Sequence, residues 1–230
     1  MSDKLRIHSI ETLGALDGPG IRTVIFFQGC PMRCAYCHNA DTFDISGGRE
    51  ESVENLASFC ERYKNYYGRS GGVTLSGGEP LMQSRGATAL MKELKRRGIN
   101  TALDTGGSVF APEALDEADL IILDIKHTDK DKFFALTGYP ADNSFKTLEY
   151  LKKNKKRFWV RQVILPGVTD GEEQIKELKK LSVGAEKTEL LPFHNMGEKK
   201  WKTAGIEYTL KNASPPSKEV MDRLNKILEN

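Results

Sequence analysis

The chain has 230 residues, with 34 Lys plus Arg against 32 Asp plus Glu and only four cysteines. A formal charge of +2 gives no long-range pull toward nucleic acid or a membrane surface, and no apolar run approaches the ~20 residues of a membrane span. Residues 1–6 lack the apolar core of a signal peptide, so a soluble, cytoplasmic protein without nucleic-acid or membrane partners is expected.

In chain order, residues 1–20 read as an N-terminal segment closing on the turn signature Asp17-Gly18-Pro19-Gly20-Ile21-Arg22. Turn chemistry explains the glycines and proline, but Asp17 and Arg22 flank a loop expected to lie close to the thiols that follow. A β-branched and aromatic strand over 23–27 delivers Gly29-Cys30-Pro31-Met32-Arg33-Cys34-Ala35-Tyr36-Cys37-His38-Asn39 at its C-terminal end. A helix then starts at Val53 with Ser52 as N-cap, and Cys60 falls on its apolar stripe as a small core residue. The next strand, 72–75, ends in Ser76-Gly77-Gly78-Glu79-Pro80 and is followed by a helix over 84–97. Strand 100–103 ends in Asp104-Thr105-Gly106-Gly107, and strand 119–123 in Asp124-Ile125-Lys126-His127. Helical patterns over 130–136 and 144–154 lead to strand 158–165, helix 172–181, and strand 188–191, which ends in Pro192-Phe193-His194-Asn195. A last helix over 217–228 follows Pro215-Pro216.

Strands alternating with helices predict α/β architecture with mostly parallel strands. A full eight-fold barrel typically needs ~250 residues, and six strands fit a partial (β/α)6 TIM-like barrel, with 1–230 as a single domain. Nearly every polar or glycine-rich cluster follows a strand, at the face where such architectures build active sites. The basic block Lys152 to Arg157 reads as a solvated helix terminus.

Three thiols spaced C-x3-C-x2-C select zinc, Cu(I) or an iron–sulfur cluster. A cubane held by Cys30, Cys34 and Cys37 keeps one iron without a protein ligand, open to a substrate. A structural zinc module using His38 as fourth ligand is the alternative from a different class, though adjacent Cys37 and His38 do not make separated ligand pairs. Nothing in the chain suggests the oxidising compartment a disulfide needs. Gly77 and Gly78 let backbone approach a ligand, and Glu79 suits an ammonium group. Asp104, Thr105 and Asp124 could hold a hard cation, or cap helices. Arg161, inside an apolar strand, requires a partner such as a carboxylate. Of the four histidines, His194 is best placed to touch a ligand.

These motifs resemble the radical S-adenosylmethionine family: Cys30, Cys34, Tyr36 and Cys37 match its Cys-x3-Cys-x-aromatic-Cys signature, and Ser76-Gly77-Gly78-Glu79-Pro80 its second motif. Within it, the segments Asp17 to Arg22, Phe26 to Cys30, Tyr36 to Asn39, Leu190 to His194 and Lys200-Trp201 are similar to activases of glycyl radical enzymes, of the pyruvate formate-lyase type. The resemblance implies a 4Fe-4S cluster whose open iron binds S-adenosylmethionine, cleaved on reduction to a 5′-deoxyadenosyl radical. It implies that Tyr36, Cys37, His38, Gly77, Gly78, Glu79, Asp104, Asp124, Ile125, Lys126, Arg161 and His194 bind that cofactor. By the same likeness Asp104, Thr105 and Asp124 hold a monovalent cation, and Asp17 and His38 face the substrate. The implied partners are pyruvate formate-lyase, presenting a glycine loop, and flavodoxin or ferredoxin as electron donor. Pro80 stands where the best-known members of the branch carry alanine, which keeps another glycyl radical enzyme or a small molecule open as substrate. Only Cys60 lies outside the loop, so the ferredoxin-like insertion of many other activases is missing.

Overall fold

The computed structural model describes residues 4–229. Its strands are β1 (Lys4–Gly14), β2 (Arg22–Phe27), β3 (Arg49–Ser52), β4 (Gly72–Gly77), β5 (Thr101–Thr105), β6 (Leu120–Asp124), β7 (Phe158–Ile164) and β8 (Lys187–Pro192). The helices are α1 (Val53–Glu61), α2 (Lys64–Tyr67), α3 (Ser84–Arg96), α4 (Pro112–Glu117), α5 (Lys130–Thr137), α6 (Asp142–Lys153), α7 (Glu172–Leu181), α8 (Glu198–Thr203) and α9 (Lys218–Glu229).

All eight strands form one open sheet in the order β3-β1-β2-β4-β5-β6-β7-β8. From β2 to β8 every pairing is parallel, which gives the six expected strands. β1 is an addition that the turn-rich reading of residues 1–20 did not anticipate, and β3 is a second one, in the stretch before the first helix. β1 runs antiparallel to β2 and buries Leu5 and Ile7 with strand periodicity, and β3 closes that edge antiparallel to β1. Lys4 and Arg6 pair with Glu50 across this pair of strands, and such charges blunt a sheet edge against foreign strands.

β5 and β6 run one or two residues past the sequence expectation. Asp104 and Asp124 are poor strand formers by propensity, but the parallel register pairs them with Ile122 and Arg161, and Thr105 with Leu123. Alternate residues face opposite sides. Ile25, Phe27, Leu75, Leu103, Ile121, Leu123 and Val160 point outward and form the main core with the helices. Ala102, Leu120 and Ile122, with Trp159 against them, line the concave side. Helix starts follow local chemistry, since Ser52 accepts from Asn55 N at 3.1 Å and Asp129 from Lys132 N at 2.9 Å.

The 17–22 turn departs from expectation. Arg22 begins β2, at the opposite end of that strand from the thiols, and is completely buried. Its guanidinium donates to Thr74 Oγ1 (2.6 Å), Val73 O (2.9 Å), Pro19 O (3.1 Å), Asn100 Oδ1 (3.2 Å) and Ser70 O (3.4 Å). Thus pinned, the loop rises inside the curved sheet: a Cβ on Gly18 would lie 3.5 Å from Ile122, and Leu16 O accepts from Arg161 at 2.8 Å. The basic block is largely solvated, as read, and in addition Lys156 pairs with Asp116 (2.8 Å) and Arg157 with Glu186 (2.6 Å).

Candidate active site at the strand ends

The cysteine loop leaves β2 through Gly29, whose φ of 94° favours glycine. Backbone bonds then fix it from two sides. Arg33 N donates to Thr137 O at 2.7 Å and Ala35 N to Leu136 O at 3.0 Å, which ties it to α5. Trp201 Nε1 of α8 donates to Cys37 O at 2.7 Å. Asn39 N donates to Cys37 Sγ at 3.3 Å.

Burial pushes all three thiols upward, Cys34 to about 12; Cys34 and Cys37 raise Cys30 further, and Cys37 raises Cys34. They are therefore neighbours in a medium that disfavours bare thiolates, and a positively charged metal group would lower the cost. Among the described residues no three His, Cys, Asp or Glu side chains converge as a single ion requires. Three thiols set close together in one loop are a donor set for a soft metal group. Cys60 is buried in the core away from this loop, as expected.

The glycine pair does something the sequence reading did not foresee. A Cβ on Gly77 would lie 2.5 Å from Phe27 N and one on Gly78 2.2 Å from Gly29 O. Gly78 N donates to Phe27 O (2.9 Å) and Glu79 N to Gly29 O (2.8 Å), so the pair admits the root of the cysteine loop and couples the two motifs. Glu79 is turned into the protein, accepting from Thr105 Oγ1 (2.6 Å), Leu81 N (3.1 Å) and Ser108 Oγ (3.2 Å). Burial raises its pKa against these hydrogen bonds.

The remaining strand ends face the same space. Asp104 accepts from Ser76 Oγ at 2.8 Å, and burial raises its pKa while Arg161 opposes the rise. Lys126 Nζ donates to Asp124 Oδ2 at 2.5 Å and stands 5.7 Å from the centre of the Tyr36 ring. Arg161 finds its carboxylate in Glu189, at 2.7 Å. The His38 and His194 rings stack at 4.0 Å, and His38 Nε2 donates to His194 O at 2.9 Å. Burial holds His38 below the usual imidazole range. Asp17 lies beneath, its carboxyl raised by burial and lowered by Arg161. Ile125 is placed differently: its side chain joins the core, while its N–H and C=O bond Arg161 O and Gln162 Nε2.

Tyr36 OH, Asp124 Oδ1 and His194 Nδ1 are buried with no hydrogen-bond partner. Native interiors seldom leave such atoms unpaired, so a polar ligand is the economical reading. S-adenosylmethionine fits them, offering an amino-acid zwitterion and a nucleoside. Sequence reasoning missed Ser76, Ser108, Asn39 and Glu189. Ser76 and Asn39 lie inside the sequence motifs but without an assigned role there; no local pattern marks Ser108 or Glu189, and only sheet register sets Glu189 beside Arg161.

An open, mostly parallel sheet carrying a three-cysteine loop after its first parallel strand defines a class, and the chain belongs to it: the Radical SAM superfamily pattern matches residues 24–179. The fold agrees with a structure of Streptococcus suis SuiB bound to its precursor peptide SuiA (TM-score 0.70, 17% identity, covering 90% of this chain and 44% of that one). Within the class the chain is similar to the pyruvate formate-lyase-activating enzyme of Clostridium pasteurianum, 42% identical over 97% of both chains. It is also 41% identical to the pyruvate formate-lyase 1-activating enzyme of Escherichia coli K12, over 97% of this chain and 95% of that one. Its cofactors are a 4Fe-4S cluster and S-adenosylmethionine.

Proposed function

We infer that this chain is a pyruvate formate-lyase activase, which removes a hydrogen atom from one glycine of that enzyme under anaerobic conditions. The observation that carries the reading is the meeting of three thiols, Cys34 buried and Cys30 and Cys37 half-buried, with three unpartnered polar atoms at one end of the sheet, in a chain similar throughout to such enzymes. When bound, the cluster supplies one electron to S-adenosylmethionine, whose cleavage supplies the hydrogen-abstracting 5′-deoxyadenosyl radical.

The chain's own residues bind and orient. Cys30, Cys34 and Cys37 hold the cluster. Asp104 and Asp124 present carboxylates to the ligand's ammonium group and, with Thr105, to a monovalent cation. Lys126 stays protonated beside Asp124, with a pKa raised by that carboxylate against desolvation, and Lys126 and Arg161 answer the ligand's carboxylate. Tyr36 OH and His194 Nδ1 are free to bond its polar body. Gly77, Gly78 and Glu79 set the wall between ligand and cysteine loop. A neutral His38 and Asp17 face the incoming glycine. A cytoplasmic location belongs to the same reading; among the described residues no helix is long and apolar enough to cross a membrane.

The test is anaerobic reconstitution with iron and sulfide, reduction with dithionite, and addition of S-adenosylmethionine and pyruvate formate-lyase. About four irons per chain and a glycyl-radical EPR doublet on the partner are expected. A loaded cluster that cleaves S-adenosylmethionine without raising the doublet overturns the substrate assignment.

A further inference from the structure

One side of the cysteine loop is backed by an aromatic wall that the site chemistry above does not use. The Arg33 guanidinium lies 4.6 Å over the Phe43 ring, Phe43 meets Trp201 edge-on at 5.5 Å, and Trp201 lies 5.5 Å from Tyr208. Cys30 and Cys37 pack directly against this cluster. Besides the bond from Trp201 to Cys37 O, Lys200 Nζ donates to Asn39 Oδ1 at 2.9 Å, and Asn39 N in turn donates to the Cys37 sulfur. Helix α8 thus contacts the thiol loop through consecutive residues, Lys200 and Trp201.

The outer rim of the wall is cationic. Arg33, Lys199 and Lys202 are exposed, and Lys199 and Lys202, three apart on α8, share a face and carry no ion-pair partner among the described residues. Glu198 and Glu207 are the acids of this segment, while Asp41 is engaged by His8 (3.1 Å) and Lys200 (3.7 Å). Exposed Met196 and Ile206 flank the helix with apolar surface. Unpaired lysines around a small apolar patch suit an acidic protein partner, since such a rim steers encounter and sets orientation.

We propose that α8, with Arg33 beside it, is the docking surface for a small acidic one-electron carrier protein that reduces the cluster. The proposal rests on the function inferred above, which requires one electron per cleavage. In this step the carrier is oxidised by one electron and the cluster reduced by one; no bond is made and no proton moves at the interface. Cys34 and Tyr36 pack against α5, whereas Cys30 and Cys37 pack against the aromatic wall, which stands between these two thiols and a partner on α8.

Cluster-loaded wild type and the double variant Lys199→Glu/Lys202→Glu are compared, with reduced flavodoxin as the acidic carrier. Lys176→Glu/Lys180→Glu on α7 serves as a control. The α8 variant is expected to bind flavodoxin at least about tenfold more weakly with a shallower salt dependence. Flavodoxin-driven cluster reduction, read by EPR, is expected to slow by a similar factor, while dithionite reduction and S-adenosylmethionine affinity match wild type. Unchanged flavodoxin affinity, or equal weakening in the α7 control, overturns the docking site. Loss of dithionite reduction in the α8 variant would assign the lysines to loop folding and also overturn it. Absence of a glycyl radical in dithionite-reduced wild type would instead overturn the function and leave the binding result standing.

Discussion

Asp104 carries the cost of the site most plainly. Buried, with one hydrogen bond from Ser76 and a distant cation in Arg161, it has a pKa raised above the ordinary carboxylate value near 3.9. A raised folded pKa means that its favourable contribution is complete below the ordinary value and is lost as pH rises through the folded one. In the ligand-free chain Asp104→Asn is therefore expected to melt with the parent at about pH 4 and above it at pH 8, while binding S-adenosylmethionine more weakly. A lower melting temperature at pH 8 would show that the carboxylate stabilises the empty fold. Cys34 makes the complementary case. No spare cysteine lies near, since Cys60 is buried in the main core, so Cys34→Ala should lose both iron content and S-adenosylmethionine cleavage. Retention of four irons would remove Cys34 from the ligand set.

Among elements, the loop between β1 and β2 is the best example of tertiary structure overriding a local reading. Its glycines and proline announce a turn, but they do not say that the turn climbs into the sheet or that Arg22 anchors it. Arg22→Met would leave the carbonyls of Pro19 and Val73 and the side chains of Thr74 and Asn100 without their buried donor. We expect a loss of about 3 kcal/mol in denaturant unfolding, within the range for breaking a buried polar network. A loss below about 1 kcal/mol would mean that water replaces the guanidinium without penalty. The six parallel strands were legible because each carries apolar residues and is closed by glycine, proline or a carboxylate. β1 was hidden because only Leu5 and Ile7 carry its apolar period, and β3, Arg49-Glu50-Glu51-Ser52, because an edge strand of charges has no apolar signal. Glu79 was legible as a site residue but not in its bonding, since Ser108 is 29 positions away and only the adjacency of β4 and β5 brings them together.

At the scale of the molecule, the site is assembled from six separate strand ends that a single curved sheet holds in register, so no one element can be exchanged without moving the others. The pattern of carboxylates and glycines after strands made this assembly readable in advance. The pairing of the two motifs through Gly78 and Gly29, and of Arg161 with Glu189, needed the sheet order. The loop held by Arg22 has a further consequence. It fills the foot of the curved sheet, with Gly18 beside Ile122 and Leu16 O held by Arg161, while the sheet stays open between its edge strands, β3 and β8. A reactive atom made above it would find that side already taken by protein, which turns a tight turn of glycines and proline into a floor for the site.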